Sequence, residues 1–317
     1  MSELRLDGRV AVVTGAGRGI GREEAALLAA RGARVVVSDW GRSLDGTRDE
    51  DDVATALADQ IRDAGGEAVA DTADVGTPHG AAAVVDLALD TWGRIDVLVN
   101  NAGTSRLYPS PADMTDDGID VTIRSHLLAT IWTCRRAWPA MVAQGYGRIV
   151  NTSSATMLGV INSWDYPGAK GGILGFTRSL AVTGRSHGIM ANAIMPMAYT
   201  RPMHHYPNAE VRDWMAGSFP AAAVAPMVAF LAHESVPCTG ECFAVGGGRA
   251  ARVAIVAAPG YQRPDTALTV EDVRDHFDEI SDLSDAVLMR HSRDESRLYR
   301  GAAAWTGSDA GYDADTP

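Results

Sequence analysis

Seven short β-prone runs recur along the chain, each followed by an Ala- and Leu-rich or irregular connection: VAVVT (10–14), RVVVSD (34–39), EAVADTAD (67–74), IDVLVNN (95–101), GRIVNTSS (147–154), MANAIMP (190–196) and ECFAVGG (241–247). Parallel strands can be joined only by a crossover of a dozen or more residues, usually a helix. The rhythm therefore predicts an α/β fold, a doubly wound sheet of seven parallel strands with helices on both faces. Such sheets bind ligands at the carboxyl ends of their strands, and most of the polar and glycine-rich segments fall there. With 317 residues, 46% of them hydrophobic, the core is large enough to need no crosslinks.

Two long segments interrupt the rhythm. WGRSLDGTRDEDD (40–52) follows the second strand, and an irregular stretch rich in Met, His, Tyr and Pro spans 197–223. Long loops above a sheet are commonly lids or binding loops. The catalytic domain is expected over 1–250, and a C-terminal extension over 251–300. That extension should hold a short strand in ARVAIVA and a helix opening at Thr269, with Asp272 completing a capping box. Residues 301–317 are expected to be a disordered tail.

TGAGRGIG (14–21) lies between the first strand and a helix, the context a phosphate-binding glycine motif requires. Gly15 allows the sharp turn, Gly19 lets a pyrophosphate approach the backbone, and Gly21 lets helix and strand pack closely. The sheet is accordingly expected to be Rossmann-like. Arg18 and Ile20 stand inside the cradle. Asp39 ends the second strand, where a carboxylate accepts the hydroxyls of an adenine ribose and repels a 2'-phosphate. This favours NAD over NADP. Arg18 could pair with such a phosphate or neutralise Asp39, and the carboxylate is given the greater weight.

Of 28 basic residues only one, Lys170, is a lysine, and it stands four residues after Tyr166 in DYPGAK. Positions i and i+4 share a helix face, and a nearby ammonium favours a phenolate. An arginine, fixed in its charge and fork geometry, cannot replace it. A lysine left on the surface by chance is the plain alternative.

The formal charge of -12 argues against a nucleic-acid partner. Much of it is local, because residues 265–317 hold 13 Asp or Glu against 5 Arg. No window is apolar enough for a membrane span and no apolar signal region opens the chain, so a cytoplasmic protein is expected. Cys134, Cys238 and Cys242 form no even framework, and reduced thiols are the default. Neither the CTGEC spacing nor the adjacent His204 and His205 makes a metal site, and none is expected.

The motif set resembles the short-chain dehydrogenase/reductase family over roughly residues 6–250. TGAGRGIG, Asp74-Val75, NNAG (100–103), Ser153-Ser154, YPGAK and Pro196 with Thr200 occur in that family's order. VVVSDW-GRSLDG, HLLATIW, GRIVNTSSAT and FLAHES are similar to the branch containing the hydroxyacyl-CoA dehydrogenase domain of peroxisomal multifunctional enzymes. The resemblance implies that Tyr166 exchanges a proton with the substrate, that Lys170 lowers its pKa and holds the nicotinamide ribose, and that a serine hydroxyl binds the substrate oxygen. Ser154 matches the family position, while Ser153 has the commoner spacing to Tyr166 and is the reserve. His126 takes the place of a helical asparagine and implies a variant proton relay, with a hydrogen-bonded core histidine as the alternative. Asp74, Val75, Asn101, Ala102, Gly103, Pro196 and Thr200 are expected to line the cofactor site, with an exposed loop carboxylate as the equal alternative for Asp74; Met197 after Pro196 departs from the family's Pro-Gly and loosens the assignment of Thr200. Asn100 either ties neighbouring strands or caps a strand end. Trp164, Tyr108, Met197 and Tyr206 are expected near the pocket mouth of a large apolar substrate, with aromatic packing under a loop as an equal alternative.

The expected function is hydride transfer between a nicotinamide and an apolar secondary alcohol or ketone: a 3-hydroxyacyl thioester, a hydroxysteroid or a terpenoid alcohol. The alternative is a dinucleotide-sensing protein without turnover, which retention of Tyr166 and Lys170 disfavours. The partners expected are a small-molecule substrate and, from the resemblance, further copies of the chain in a dimer or tetramer.

Overall fold

A computed structural model of the chain describes residues 3–41, 52–205, 208–263 and 267–299. Its main sheet contains β1 (Val10–Thr14), β2 (Arg34–Ser38), β3 (Glu67–Asp71), β4 (Val97–Asn100), β5 (Gly147–Thr152), β6 (Ile189–Pro196), β7 (Cys242–Gly246) and β8 (Arg249–Val253). The spatial order is β3-β2-β1-β4-β5-β6-β7-β8. All pairings from β3 across to β7 are parallel, so the seven strands read from the sequence form the expected sheet.

An eighth strand extends the edge. Gly247 and Gly248 have φ of 55° and 78°, and this two-residue turn reverses the chain into β8. So short a connection can return only antiparallel, and positive φ at both positions matches the twist of a hairpin. The single strand expected in ARVAIVA is therefore split. Its start belongs to β8, and β9 (Val256–Ala257) pairs antiparallel with β10 (Val287–Leu288).

The helices of the main unit are α1 (Gly19–Ala30), α2 (Val53–Asp63), α3 (Pro78–Trp92), α4 (Asp116–Ile123), α5 (Ala129–Gln144), α6 (Asp165–Gly184), α7 (Ala209–Ser218) and α8 (Ala225–Ala232). Strand alternation sorts the core into two layers. Ala11, Val13, Val35 and Val37 join side chains of α1, α2 and α8, whereas Val10, Val12 and Val36 join those of α3, α5 and α6. Each fully buried Val contributes about 1.5–3 kcal/mol relative to exposure, so a one-residue slip of any central strand is strongly disfavoured.

The strand order reverses between β1 and β4, leaving a crevice beyond their carboxyl ends. Around it, α2 is capped by Asp52, α3 by Thr77 and α4 by Thr115, each accepting a backbone N–H. By contrast, α1 opens at Arg18 without a side-chain cap and with no acidic residue in its first turn. Its first N–H groups are left for an anion.

The described residues fall into two compact units, one ending at Arg252 and one beginning at Val253. The second contains the β9–β10 pair, α9 (Val270–Asp275), α10 (Phe277–Ser281) and α11 (Ser292–Tyr299). The capping box expected at Thr269 and Asp272 is formed. Most of the 40–52 loop, Tyr206 and the 301–317 tail lie outside the described residues. No single described helix is long and apolar enough to cross a membrane.

Candidate active site

The glycine cradle closes on NNAG with no room for side chains. Gly15 has φ 65°, and a Cβ there would lie 2.8 Å from the Ala102 Cα. At Gly21 it would lie 2.3 Å from the Gly15 carbonyl oxygen and 2.4 Å from the Asn101 Nδ2. Asn101 donates that amide to the Thr14 and Gly15 carbonyls, at 3.1 Å each, locking the two segments together. Thr14 Oγ1 in turn accepts the N–H groups of Asn101 and Ala102. Gly19 (φ 56°) faces the Thr200 methyl, which places Thr200 across the mouth of the cradle.

Asp39 spans the cradle's rim, accepting from the Gly17 N–H at 2.9 Å and from the Gly41 N–H at 2.8 Å. Each oxygen keeps a further lone pair for a ligand hydroxyl. Ile20 and Val75 pack into the apolar layers beside the cradle, and Asp74 turns its Oδ1 back to the Gly76 N–H. An uncapped helix start, two glycine contacts that exclude any side chain and a rim carboxylate fit a dinucleotide.

Beyond β5 the chain folds back on itself through Gly159 (φ 112°) and Asn162 (φ 62°) before α6 begins. Positive φ at a non-glycine residue costs about 1–3 kcal/mol, and here it brings Ser154 against Tyr166. The Ser154 hydroxyl stands close enough to the phenol to pull its pKa down, and it accepts from Thr156. Ser153 instead is buried and donates to the Lys170 carbonyl at 2.9 Å, tying β5 to α6. The geometry thus separates the two serines. Lys170 is 2% exposed, and its Nζ donates to the Thr152 carbonyl at 2.6 Å, 5.5 Å from the centre of the Tyr166 ring.

One expectation is corrected. The ammonium was expected to hold the phenol down, yet Tyr166 lies above its ordinary pKa because burial outweighs the opposing Ser154 hydrogen bond. The same burial lowers Lys170 to about 7, so near neutrality the amine carries only part of its charge.

His126 lies in a π-helical turn, Arg124–Leu128, between α4 and α5. Such a widened turn shifts side chains around the helix and often marks a functional position. The imidazole meets the Tyr166 ring edge-on, with centroids 5.0 Å apart. Neither ring nitrogen has a partner in hydrogen-bonding geometry. Burial and the nearby Lys170 charge push its pKa well below 6.5; the Thr104 backbone offsets part of that shift but is not in bonding geometry. The ring is therefore neutral. It rests on Gly103, where a Cβ would lie 1.8 Å from Cε1 and 1.9 Å from Nδ1. Gly103→Ala must displace the ring from Tyr166, and kcat is expected to fall at least about tenfold with the fold retained. Steady-state kinetics alongside circular dichroism check this.

Asn100 ties strands and helices together. Its Nδ2 donates to Asn151 Oδ1 at 2.9 Å, its Oδ1 accepts from Thr133 at 2.7 Å, and Asn151 donates onward to Thr177. This buried ladder fixes β4 and β5 against α5 and α6, behind Tyr166 and Lys170.

The family model for short chain dehydrogenases matches residues 9–211, which contain the whole of this constellation. The chain belongs to the short-chain dehydrogenase family. Like its family, this dehydrogenase is an oxidoreductase of the CH–OH class. It is 38% identical over 281 residues to a short-chain type dehydrogenase/reductase of Mycobacterium tuberculosis, covering 88% of this chain and 96% of that protein. The structure of full-length peroxisomal multifunctional enzyme type 2 from Drosophila melanogaster superposes with a TM-score of 0.78 at 32% identity. That match covers 95% of this chain but only 50% of the Drosophila one, so the dehydrogenase spans half of that multifunctional protein. A 7α-hydroxysteroid dehydrogenase complexed with NADH and 7-oxoglycochenodeoxycholic acid matches with a TM-score of 0.70 at 28% identity, over 78% of this chain.

Some sequence-based placements differ in the dehydrogenase's structure. Tyr108 takes the packing alternative: its side chain is buried under its loop, with the hydroxyl pressed on Gly118. His204 packs on Tyr199, and among the described residues no group of His, Cys, Asp and Glu could hold a metal ion. Pro196 ends β6, and Met197 pairs its N–H with the Val245 carbonyl, so the missing Pro-Gly is accommodated by Gly246 opposite. Sequence reasoning overlooked the Gly103–His126 contact, the π turn and Asp165. The last had a signal, an acidic residue beside Tyr166 in a segment otherwise poor in charge.

Proposed function

We propose that this dehydrogenase uses NAD to interconvert an apolar secondary alcohol and its ketone. The observation carrying the reading is the convergence of Ser154, Tyr166 and Lys170 beside the glycine cradle, with the tyrosine partly buried and the amine wholly so. The bound nicotinamide would accept or deliver hydride. Gly15, Arg18, Gly19, Ile20 and Asp39 would hold the adenosine and phosphate end. Asp74, Val75, Asn101, Ala102, Gly103, Pro196 and Thr200 would line the remainder, and Lys170 would meet the nicotinamide ribose.

Tyr166 as phenol protonates a forming alkoxide, and as phenolate takes the alcohol proton. Ser154 donates its one hydroxyl hydrogen to the substrate oxygen, steadying the charge that develops there. His126, neutral and edge-on to Tyr166, is the proton shuttle behind it. Leu107, Leu158 and Ile161 are well exposed on the two loops leading to this pocket, and the Tyr108 N–H bonds the Asn162 carbonyl to hold those loops together. They supply an apolar rim suited to a 3-hydroxyacyl thioester or a hydroxysteroid, the substrate classes we favour. Placement in the cytoplasm and assembly as a homo-oligomer belong to the same proposal.

The Asp39 carboxylate at the rim of the cradle would repel a 2'-phosphate, which supports NAD over NADP. kcat/KM with NAD is expected to exceed that with NADP more than tenfold on any active alcohol. A preference for NADP of that size would reject the cofactor assignment, and a panel of hydroxyacyl thioesters and hydroxysteroids without turnover would reject the enzyme reading.

A further inference from the structure

A seam of buried polar groups without partners runs between α4 and α6. Gly118, Thr122 and His126 follow one another at four-residue spacing along α4 and the π turn, and this stretch packs on α6. At one end Gly118 carries the Tyr108 hydroxyl against its Cα; at the other His126 meets Tyr166. The Thr122 hydroxyl lies between them, wholly buried. Ser163 and Asp165, both buried, lie in the four residues that lead into Tyr166 at the start of α6, the helix on which this stretch packs.

Asp165 is 8% exposed. Its Oδ1 accepts the Tyr166 N–H at 2.8 Å, while Oδ2 is buried with no partner. The Tyr108 hydroxyl, Thr122 Oγ1, Ser163 Oγ and both nitrogens of His126 are equally unpartnered. Leaving one such group unsatisfied costs about 1–3 kcal/mol, more for a charge, so a run of them in one seam is where a protein keeps ordered water. The other charged groups facing this region are few. Tyr166 and Lys170 lie on α6 itself, whereas Asp116, Asp117, Asp120 and Arg124 all point to solvent.

We propose that Asp165 is a positioning residue of the proton relay, coupled through water in this seam to His126. The proposal rests on the Tyr166 reading above. In alcohol oxidation a bound nicotinamide would supply the acceptor for the C–H hydride, and Tyr166 takes the O–H proton. The proton that Tyr166 gives up reaches one ring nitrogen of His126 through water, while the other ring nitrogen releases its hydrogen through water to Asp165 Oδ2. The imidazole ends neutral, in its other tautomer. Ketone reduction runs the same path backwards.

Asp165→Asn keeps an oxygen for the Tyr166 N–H but removes the proton acceptor. It is expected to lower kcat for oxidation about tenfold at pH 7, with both KM values changed less than twofold. The solvent deuterium isotope effect on kcat should rise, and the deficit should shrink at high pH as hydroxide takes over the acceptor role. Thr122→Val, which removes only the seam hydroxyl, should move the isotope effect in the same direction. A pH profile and isotope effect identical to the wild type in Asp165→Asn would overturn the proposal. A crystal structure at near-atomic resolution tests it without turnover. Water bridging Asp165 Oδ2 towards Thr122 and His126 supports it, and a dry, closely packed seam overturns it even if the enzyme is active. An inactive wild type with a wet seam would instead reject the Tyr166 reading.

Discussion

Tyr166→Phe is expected to lower kcat for oxidation and reduction by about a thousandfold while leaving dinucleotide affinity within a few-fold, because positioned general acid–base groups contribute about 10²–10⁴-fold. The phenyl ring still packs against His126, so the fold and the cradle survive and only the exchangeable proton is lost. Burial holds the phenol above its ordinary pKa, and the Ser154 hydrogen bond works against that rise. The sign of the pH dependence follows. Oxidation needs the phenolate, so its rate should climb into the alkaline range. Reduction needs the phenol, so its rate should stay level through neutral pH and decline only when the phenol ionises. Ser154→Ala removes the opposing hydrogen bond and should move both limbs to higher pH. Initial-rate kinetics from pH 6 to 10 in both directions check all three, and a Phe variant keeping more than a tenth of wild-type turnover would defeat the assignment of Tyr166.

The second large effect concerns stability. Glu24 sits in the first helix behind the glycine cradle, fully buried, with neither carboxyl oxygen partnered. Burial pushes its carboxyl from 4.5 up to about 8. The native state therefore binds a proton that the unfolded state releases above 4.5, and stability falls as pH rises through the window from 4.5 to about 8. At about 1.4 kcal/mol per pH unit, the penalty above that window reaches about 5 kcal/mol, with water penetration tending to reduce it. Glu24→Gln has nearly the same shape and does not titrate. It should match the wild type near pH 4.5 and exceed it by about 3–5 kcal/mol at pH 8.5. Denaturant midpoints at the two pH values give the difference directly, and groups common to both proteins cancel. An equal stability gap at both pH values would show that Glu24 is ionised or solvated in the native state.

A buried, unpartnered acid in a helix that the glycine motif requires is an unusual choice for packing alone. Its sequence context, GREEAALLAA, reads as an ordinary amphipathic helix in which Glu23 and Glu24 look equivalent. Helical phase separates them. Glu24 shares the inward face with Gly21, Ala25 and Leu28, while Glu23 is only partly covered. Phase can be guessed from sequence, but the depth of burial cannot, because it depends on how closely α8 closes over that face.

Seven strands, their parallel order of use and the glycine cradle were legible in the chain because strand alternation and glycine spacing are local properties: they follow from a period of two and from the sterics of a missing Cβ. Tyr166 and Lys170 were legible for the same reason, one helical turn fixing their neighbourhood. What tertiary structure alone decided is which groups lost water and which found partners. It turned Ser153 inward to the Lys170 carbonyl and Ser154 towards the phenol, set the His126 ring on Gly103, and chose packing against Gly118 for the Tyr108 hydroxyl. It also set the balance at Tyr166, because desolvation is the summed effect of strands and helices far apart in sequence, and here that sum outweighs the opposing effect of Ser154.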